Sequence, residues 1–300
     1  MSSFIVPGQS NLKCSDNNLI AELKRRCNTQ QNLVGRTEVP WIETGGVSFH
    51  YRLEGKSGPS LIFLHEIGGS LDSWDGVASE LSARFRVFRY DQRGFGLSEK
   101  TRPTYGIGAL TDDLQNLVRA VKLPPPWHIV SLAASSMQAL SIYERAARDI
   151  GSLVFCNPAP GVDPSRADAL NRVAELAEHD GIRGILPTML DKSYPPELSD
   201  REVYENYRGR YLANDPVGFG NAFRMMARTN LIELLSTVTC PTLVIAGRQD
   251  YIRSVAVTES IAKRIPGARF EIIDAGHFMP TTSPKALLAL LQDFWNGLAH

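Results

Sequence analysis

From Val47 to the C-terminus the chain alternates between two textures, and that alternation limits its fold more than any other feature. Short runs rich in β-branched and aromatic residues, VSFHYRL, PSLIFLH, FRVFRYD, HIVSL, SLVFCNP, PTLVIAG and ARFEIID, read as strands. Interleaved with them or following them are LTDDLQNLVRAV, SSMQALSIYERAARD, SVAVTESIAKRI and PKALLALLQDFWNGL. These carry apolar residues three and four apart, as helices do, and the first of them shows an acidic first turn. Several of the strands are continuously apolar, so both of their faces must be covered. Strands that run parallel, with connecting helices on either side, supply that cover. The expected fold class is therefore α/β: a mostly parallel sheet with helices on both faces.

One stretch breaks the rhythm. Between residues 161 and 235 no convincing strand is present, while PSRADALNRVAELAEHDG, REVYENYRGRYL and VGFGNAFRMMART have a helical look. An interruption of that size is too long for a plain loop. It reads as a helical cap over the carboxyl edge of the sheet, where open α/β sheets bind ligands. The expected organisation is a core of residues 41–160 and 236–300, the cap at 161–235, and an N-terminal extension at 1–40. That extension carries one short helix, DNNLIAELKRRC, with Asp16 as N-cap and Leu19, Ile20 and Leu23 at helical spacing. Packing on the body or a homodimer contact would use it.

The 32 basic and 32 acidic residues cancel, which disfavours nucleic acid and membrane surfaces as partners and favours a small molecule. Cys14, Cys27, Cys156 and Cys240 have no metal-ligand spacing. Cys156 and Cys240 lie in or beside apolar runs, as the free thiols of a cytoplasmic protein do. The start, MSSFIVPGQSNLKC, lacks the basic and apolar regions of a signal peptide. No apolar run approaches the ~20 residues of a membrane span. No dinucleotide glycine fingerprint, phosphate loop or metal-ligand cluster is present, so neither cofactor nor metal is expected.

Three pieces that follow predicted strands would meet at one sheet edge. They are FLHEIGGS, the sharp turn inside IVSLAASSM, and the pair AGRQD and DAGHF, which bring Asp250 and His277. From about Gly45 to the end the chain resembles an α/β-hydrolase of the 3-oxoadipate enol-lactonase and meta-cleavage-product hydrolase type. LIFLHEIGGSLDSW is similar to that family's strand and oxyanion loop, YDQRGFGLSEK to its DxRGxGxS segment, PTLVIAGRQD to the strand delivering the triad acid, and DAGHFMP to the histidine loop. The resemblance implies that His277 is the base and that Asp250 orients it. It also implies that the backbone N–H groups of Ala134 and Ile67 hold an oxyanion.

The family's nucleophile elbow reads G-x-S-x-G. Laid on VSLAASS without a gap, it puts Ser131 and Ser135 at the glycines and Ala133 at the serine. Three explanations stand open: an alanine introduced to trap a substrate, a native alanine, or a shifted register that promotes Ser135 or Ser136. The oxyanion loop departs as well, since His65-Glu66-Ile67 stands where the family has His-Gly-x. Glu66 is either a solvated loop residue or a carboxylate beside the vacated serine position, raised by burial into a range suited to acid–base work. His65 braces the oxyanion loop.

Around these, Asp91 and Arg93 pin their turn through backbone contacts, and His50, His128 and His179 are structural or surface residues. Tyr204, Phe219, Phe223 and Met225 are either cap core or pocket wall. Arg172, Arg183 and Arg224 leave carboxylate binding open. Three functions fit. The first is hydrolysis of a small ester, lactone or C–C bond beside a carbonyl. The second is a serine-independent lyase, isomerase or oxygenase using His277, Asp250 and Glu66. The third is a non-catalytic ligand pocket.

Overall fold

The computed structural model describes residues 41–298. The expected helix at 16–27 lies outside the described residues. Eight strands form one sheet: β1 Trp41–Thr44, β2 Val47–Glu54, β3 Ser60–Leu64, β4 Arg86–Tyr90, β5 Trp127–Leu132, β6 Ile150–Cys156, β7 Thr242–Gly247 and β8 Arg269–Ile273. Their spatial order is β1-β2-β4-β3-β5-β6-β7-β8. β1 and β2 pair antiparallel, as do β2 and β4, and every later pair is parallel. The expected mostly parallel sheet is what forms.

Its two faces follow from the period of two along each strand. Leu61, Phe63, Val130, Leu132, Val154, Leu243 and Ile245 point into one core, under Trp74, Leu287 and Leu291. Ile62, Leu64, Ile129, Leu153, Phe155 and Val244 point into the other, under Leu114, Leu117, Leu140 and Ile261. Central strands are thus buried on both sides, and each such side chain contributes roughly 1.5–3 kcal/mol by leaving water.

Two elements escape the sequence pattern. WIET forms edge strand β1, too short and too exposed to show an apolar rhythm. DGVASEL forms the helix Asp75–Leu81, reached through a single 3₁₀ turn capped by the Ser70 hydroxyl. A third expectation needs correcting. The helix expected from Leu110 begins at Ile107, so its first turn holds no acidic residue. Asp113 instead lies buried and pairs with Arg93.

Between β6 and β7 the chain is helical: Ala167–Ile185 with a break at Gly181, Leu190–Ser193, Arg201–Leu212 and Pro216–Ala227. Among the described residues, the one extended pairing there is an isolated bridge between Gly161 and Asn230. Among those residues, no helix is long and apolar enough to cross a membrane.

Candidate active site

The turn after β5 is the sharpest feature at the carboxyl edge. Ala133 has φ +54°, a left-handed conformation that costs an L-residue roughly 1–2 kcal/mol. Four hydrogen bonds hold it there. Its N–H donates to Cys156 O (2.9 Å), while its carbonyl accepts from the N–H groups of Ser136 and Ala159 (both 3.1 Å) and from Ser136 Oγ (2.8 Å). Ser135 Oγ faces the carbonyls of Leu64 and Leu132 and accepts from Leu132 N–H, each at 2.9 Å. Both serine hydroxyls are therefore spent on backbone, and a shifted register finds no free nucleophile here. Ser131, Ala134, Ser135 and Ser136 are small where strand and helix pass closely, and Ala133 holds the left-handed turn between the two.

Asp250 and His277 come from the loops after β7 and β8. Asp250 Oδ2 lies 2.7 Å from His277 Nδ1. Asp250 Oδ1 accepts from the N–H groups of Ile252 (2.7 Å) and Arg253 (2.8 Å). The carboxylate side chain is wholly shielded (0%) and the imidazole nearly so (10%). With Nδ1–H pointing at Asp250, Nε2 is the basic atom, and among the described residues nothing bonds to it.

Sequence reasoning missed Asn157, the residue that joins these loops. It follows the apolar run of β6 directly and adopts φ +44°. Its Oδ1 accepts from Gly247 N–H (2.8 Å) and its Nδ2 donates to the carbonyls of Gly276 and His277 (both 3.1 Å). One fully buried amide thus ties the end of β7 to the histidine loop, one residue beyond the anchor of Ala133. An asparagine ending an apolar strand was the available signal.

The first loop brings Ile67 to the same edge. The N–H groups of Ile67 and Ala134 donate to nothing among the described residues. Both residues line one small cavity, of about 10 Å3, with Tyr105, Leu110, Ala222 and Met225. Tyr105 Oη is buried and has no partner among the described residues, and burial pushes its pKa up, so it remains a donor. The Arg93 guanidinium lies 5.5 Å from the Tyr105 ring and is itself locked onto Asp113 by two 2.6 Å bonds. Arg93 therefore acts through a side chain, not the backbone contacts expected of it. Asp91 does pin its turn, accepting from Leu71 and Leu97 N–H groups and pairing with His50.

His65 lines the cavity with both ring nitrogens occupied. Nδ1 meets Glu66 O at 2.8 Å, and Nε2 accepts from Gln92 N–H at 2.9 Å. Glu66 is 1% exposed, so it is no solvated loop residue. Its Oε1 accepts from Ser73 Oγ (2.9 Å) and Tyr207 Oη (2.6 Å), and its buried Oε2 has no partner among the described residues. It makes no hydrogen bond to His277 among the described residues and does not line the cavity. In the insertion, Phe219 stacks on Phe223 and Tyr204 packs on Tyr194, so these are helix core, whereas Met225 reaches the cavity. Arg224 is bound to Glu178 through both terminal nitrogens, which removes its free charge.

A sequence-family model described as alpha/beta hydrolase fold matches residues 59–284. The chain is 25% identical over 245 residues to 3-oxoadipate enol-lactonase 1 of Acinetobacter baylyi, covering 80% of this chain and 89% of that protein. It is 24% identical over 269 residues to the 2-(acetamidomethylene)succinate hydrolase of Mesorhizobium japonicum, covering 84% and 93%. The crystal structure of the enol-lactonase from Burkholderia xenovorans LB400 is similar at a TM-score of 0.79 and 25% identity, covering 86% of this chain and all of that one. A thermophilic esterase from Thermogutta terrifontis gives 0.79 and 26%, covering 88% and 99%.

Proposed function

The chain belongs to the α/β-hydrolase fold family, and on that premise we propose that it hydrolyses a small ester, a lactone or a C–C bond beside a carbonyl, with water as the nucleophile. The supporting observation is the buried His277–Asp250 pair at 2.7 Å, on the same sheet edge as an elbow whose central residue is Ala133. His277 Nε2 takes a proton from water, and the water oxygen attacks the carbonyl carbon. Asp250 fixes the tautomer and stabilises the imidazolium. The unspent N–H groups of Ile67 and Ala134 accept the negative charge that forms on the carbonyl oxygen. As the tetrahedral species collapses, His277 returns the proton to the leaving oxygen or carbon. The Tyr105 hydroxyl is a further donor in the cavity that Ile67 and Ala134 line, which has room for about one water and which His277 does not line. Residues 161–235 act as the cap that closes this pocket.

p-Nitrophenyl acetate and a small lactone are suitable probes. Turnover by the protein as it stands should lack a burst, because no acyl-enzyme forms. His277→Ala should lower kcat/KM about 10³-fold, the scale of a lost general base. Ala133→Ser should introduce a stoichiometric burst of p-nitrophenol. Undiminished turnover in His277→Ala would end this proposal.

A further inference from the structure

We infer that the helical insertion positions the oxyanion loop: Tyr207 and Asn214, acting on Glu66 and Gly68, fix the direction of the Ile67 N–H. The inference rests on the role proposed above for Ile67.

The loop from His65 to Gly69 is anchored to the core at its first residue. The Gln92 backbone N–H and side-chain amide bind His65 Nε2 and His65 O. The Glu66 carbonyl accepts from His65 Nδ1 and from Gly69 N–H (3.0 Å). In a trans peptide the N–H points opposite the carbonyl, so whatever fixes the Glu66 carbonyl also fixes the Ile67 donor, and a held Glu66 side chain limits how far that peptide can turn about its Cα. The Glu66 side chain is held from two directions, by Ser73 on the following turn and by Tyr207 of the Arg201–Leu212 helix. Burial first, and then the Glu66 charge, hold the Tyr207 phenol well above its ordinary range, so it donates.

On the other side of Ile67, the Gly68 carbonyl accepts from Asn214 Nδ2 at 2.8 Å, just past the end of the same helix. Gly68 has φ +88°, and a Cβ there would come within 2.4 Å of the Tyr211 ring. At Gly69 a Cβ would strike the Glu66 carboxylate at 2.2 Å. The glycine pair thus lets the helix press directly on the loop. Both residues flanking Ile67 are held by one insertion helix and its end. This accounts for a glutamate where the resembling family carries glycine: Glu66 is a positioning residue that gives the insertion a handle on the oxyanion donor.

Amide exchange of residues 66–69 and kinetics on p-nitrophenyl acetate test this together. Tyr207→Phe and Asn214→Ala should each lower kcat about 10-fold with KM within about 2-fold, and the double variant about 100-fold, a typical loss for an oxyanion donor. Exchange at 66–69 should quicken in each. Glu66→Ala should behave like Tyr207→Phe, and Glu66→Gln, which keeps an acceptor for Tyr207 and Ser73, should restore most of the loss. Tyr204→Phe, a change in the insertion core away from the loop, should alter neither readout. A rise in KM with kcat intact, unchanged exchange in Tyr207→Phe and Asn214→Ala, or Glu66→Gln as impaired as Glu66→Ala would overturn the inference. If the unmodified protein turns over neither ester nor lactone, the hydrolytic proposal fails, and the exchange readout still decides the positioning role.

Discussion

The two halves of the site are held in different ways. The half proposed to supply the base, Ala133 with Asp250 and His277, takes its hydrogen bonds from the sheet and its loops, while Phe278 beside it packs on Tyr194 and Tyr207 of the insertion. Cys156 O holds the elbow, and Asn157 joins the end of β7 to the histidine loop. The half proposed to hold the oxyanion is braced by the core at His65 and, through Ser73, at Glu66, and it takes further bonds from Tyr207 and Asn214 of the insertion. On the proposed roles, a change in the insertion reaches the Ile67 donor through hydrogen bonds, and the His277 loop through the packing of Phe278.

Asn157→Ala strikes the base half hardest. It leaves a buried N–H and two buried carbonyls short of a partner, each worth about 1–3 kcal/mol, and strands a left-handed residue without its tie. Urea unfolding should show a loss of about 3 kcal/mol, with turnover falling in parallel. A loss below about 1 kcal/mol would mean that the two loops hold themselves, and the contrast between the halves would shrink. Gly68→Ala is the matching test on the other side. A methyl at φ +88° beside the Tyr211 ring should cost about 2 kcal/mol. It should also quicken exchange in the Arg201–Leu212 helix while leaving Gly276 and His277 protected. Equal loosening of both loops would show that the halves are not independent.

The pairing of Asp250 with His277 could be read from the sequence as two loop residues at one sheet edge, and the surroundings of Glu66 could not, for a physical reason. A strand such as PTLVIAG, a turn and an aspartate are local in the chain, so Asp250 and His277 can be placed by counting strands. The same holds for Ala133, whose neighbours Ser131, Ala134, Ser135 and Ser136 are small where strand and helix pass closely. Glu66 could be flagged as a departure, but its environment depends on Tyr207, 141 residues away, and no local pattern announces that contact. Asn157 is hard to single out because its three partners, the last residue of β7 and two residues of the histidine loop, lie about 90–120 residues downstream. Edge strand β1 was missed because an exposed four-residue strand has no burial rhythm to display.

The smallest expected effect probes the elbow itself. Ala133 pays roughly 1–2 kcal/mol for φ +54°. Glycine would remove that strain but give back about 0.5–1 kcal/mol in chain entropy and up to about 0.8 kcal/mol for the lost methyl. These nearly cancel, so Ala133→Gly should lie within about 0.5 kcal/mol of the unmodified protein in urea unfolding. Ala139 makes the right control, being fully buried in the helix Ser135–Ala146 just beyond the elbow. There glycine gains nothing from backbone relief and loses both helix propensity and packing, about 2 kcal/mol in all. The difference between the two variants measures the strain stored at position 133. Should Ala133→Gly cost as much as Ala139→Gly, the elbow would carry no strain, and the four hydrogen bonds around it would not be holding a left-handed residue in place.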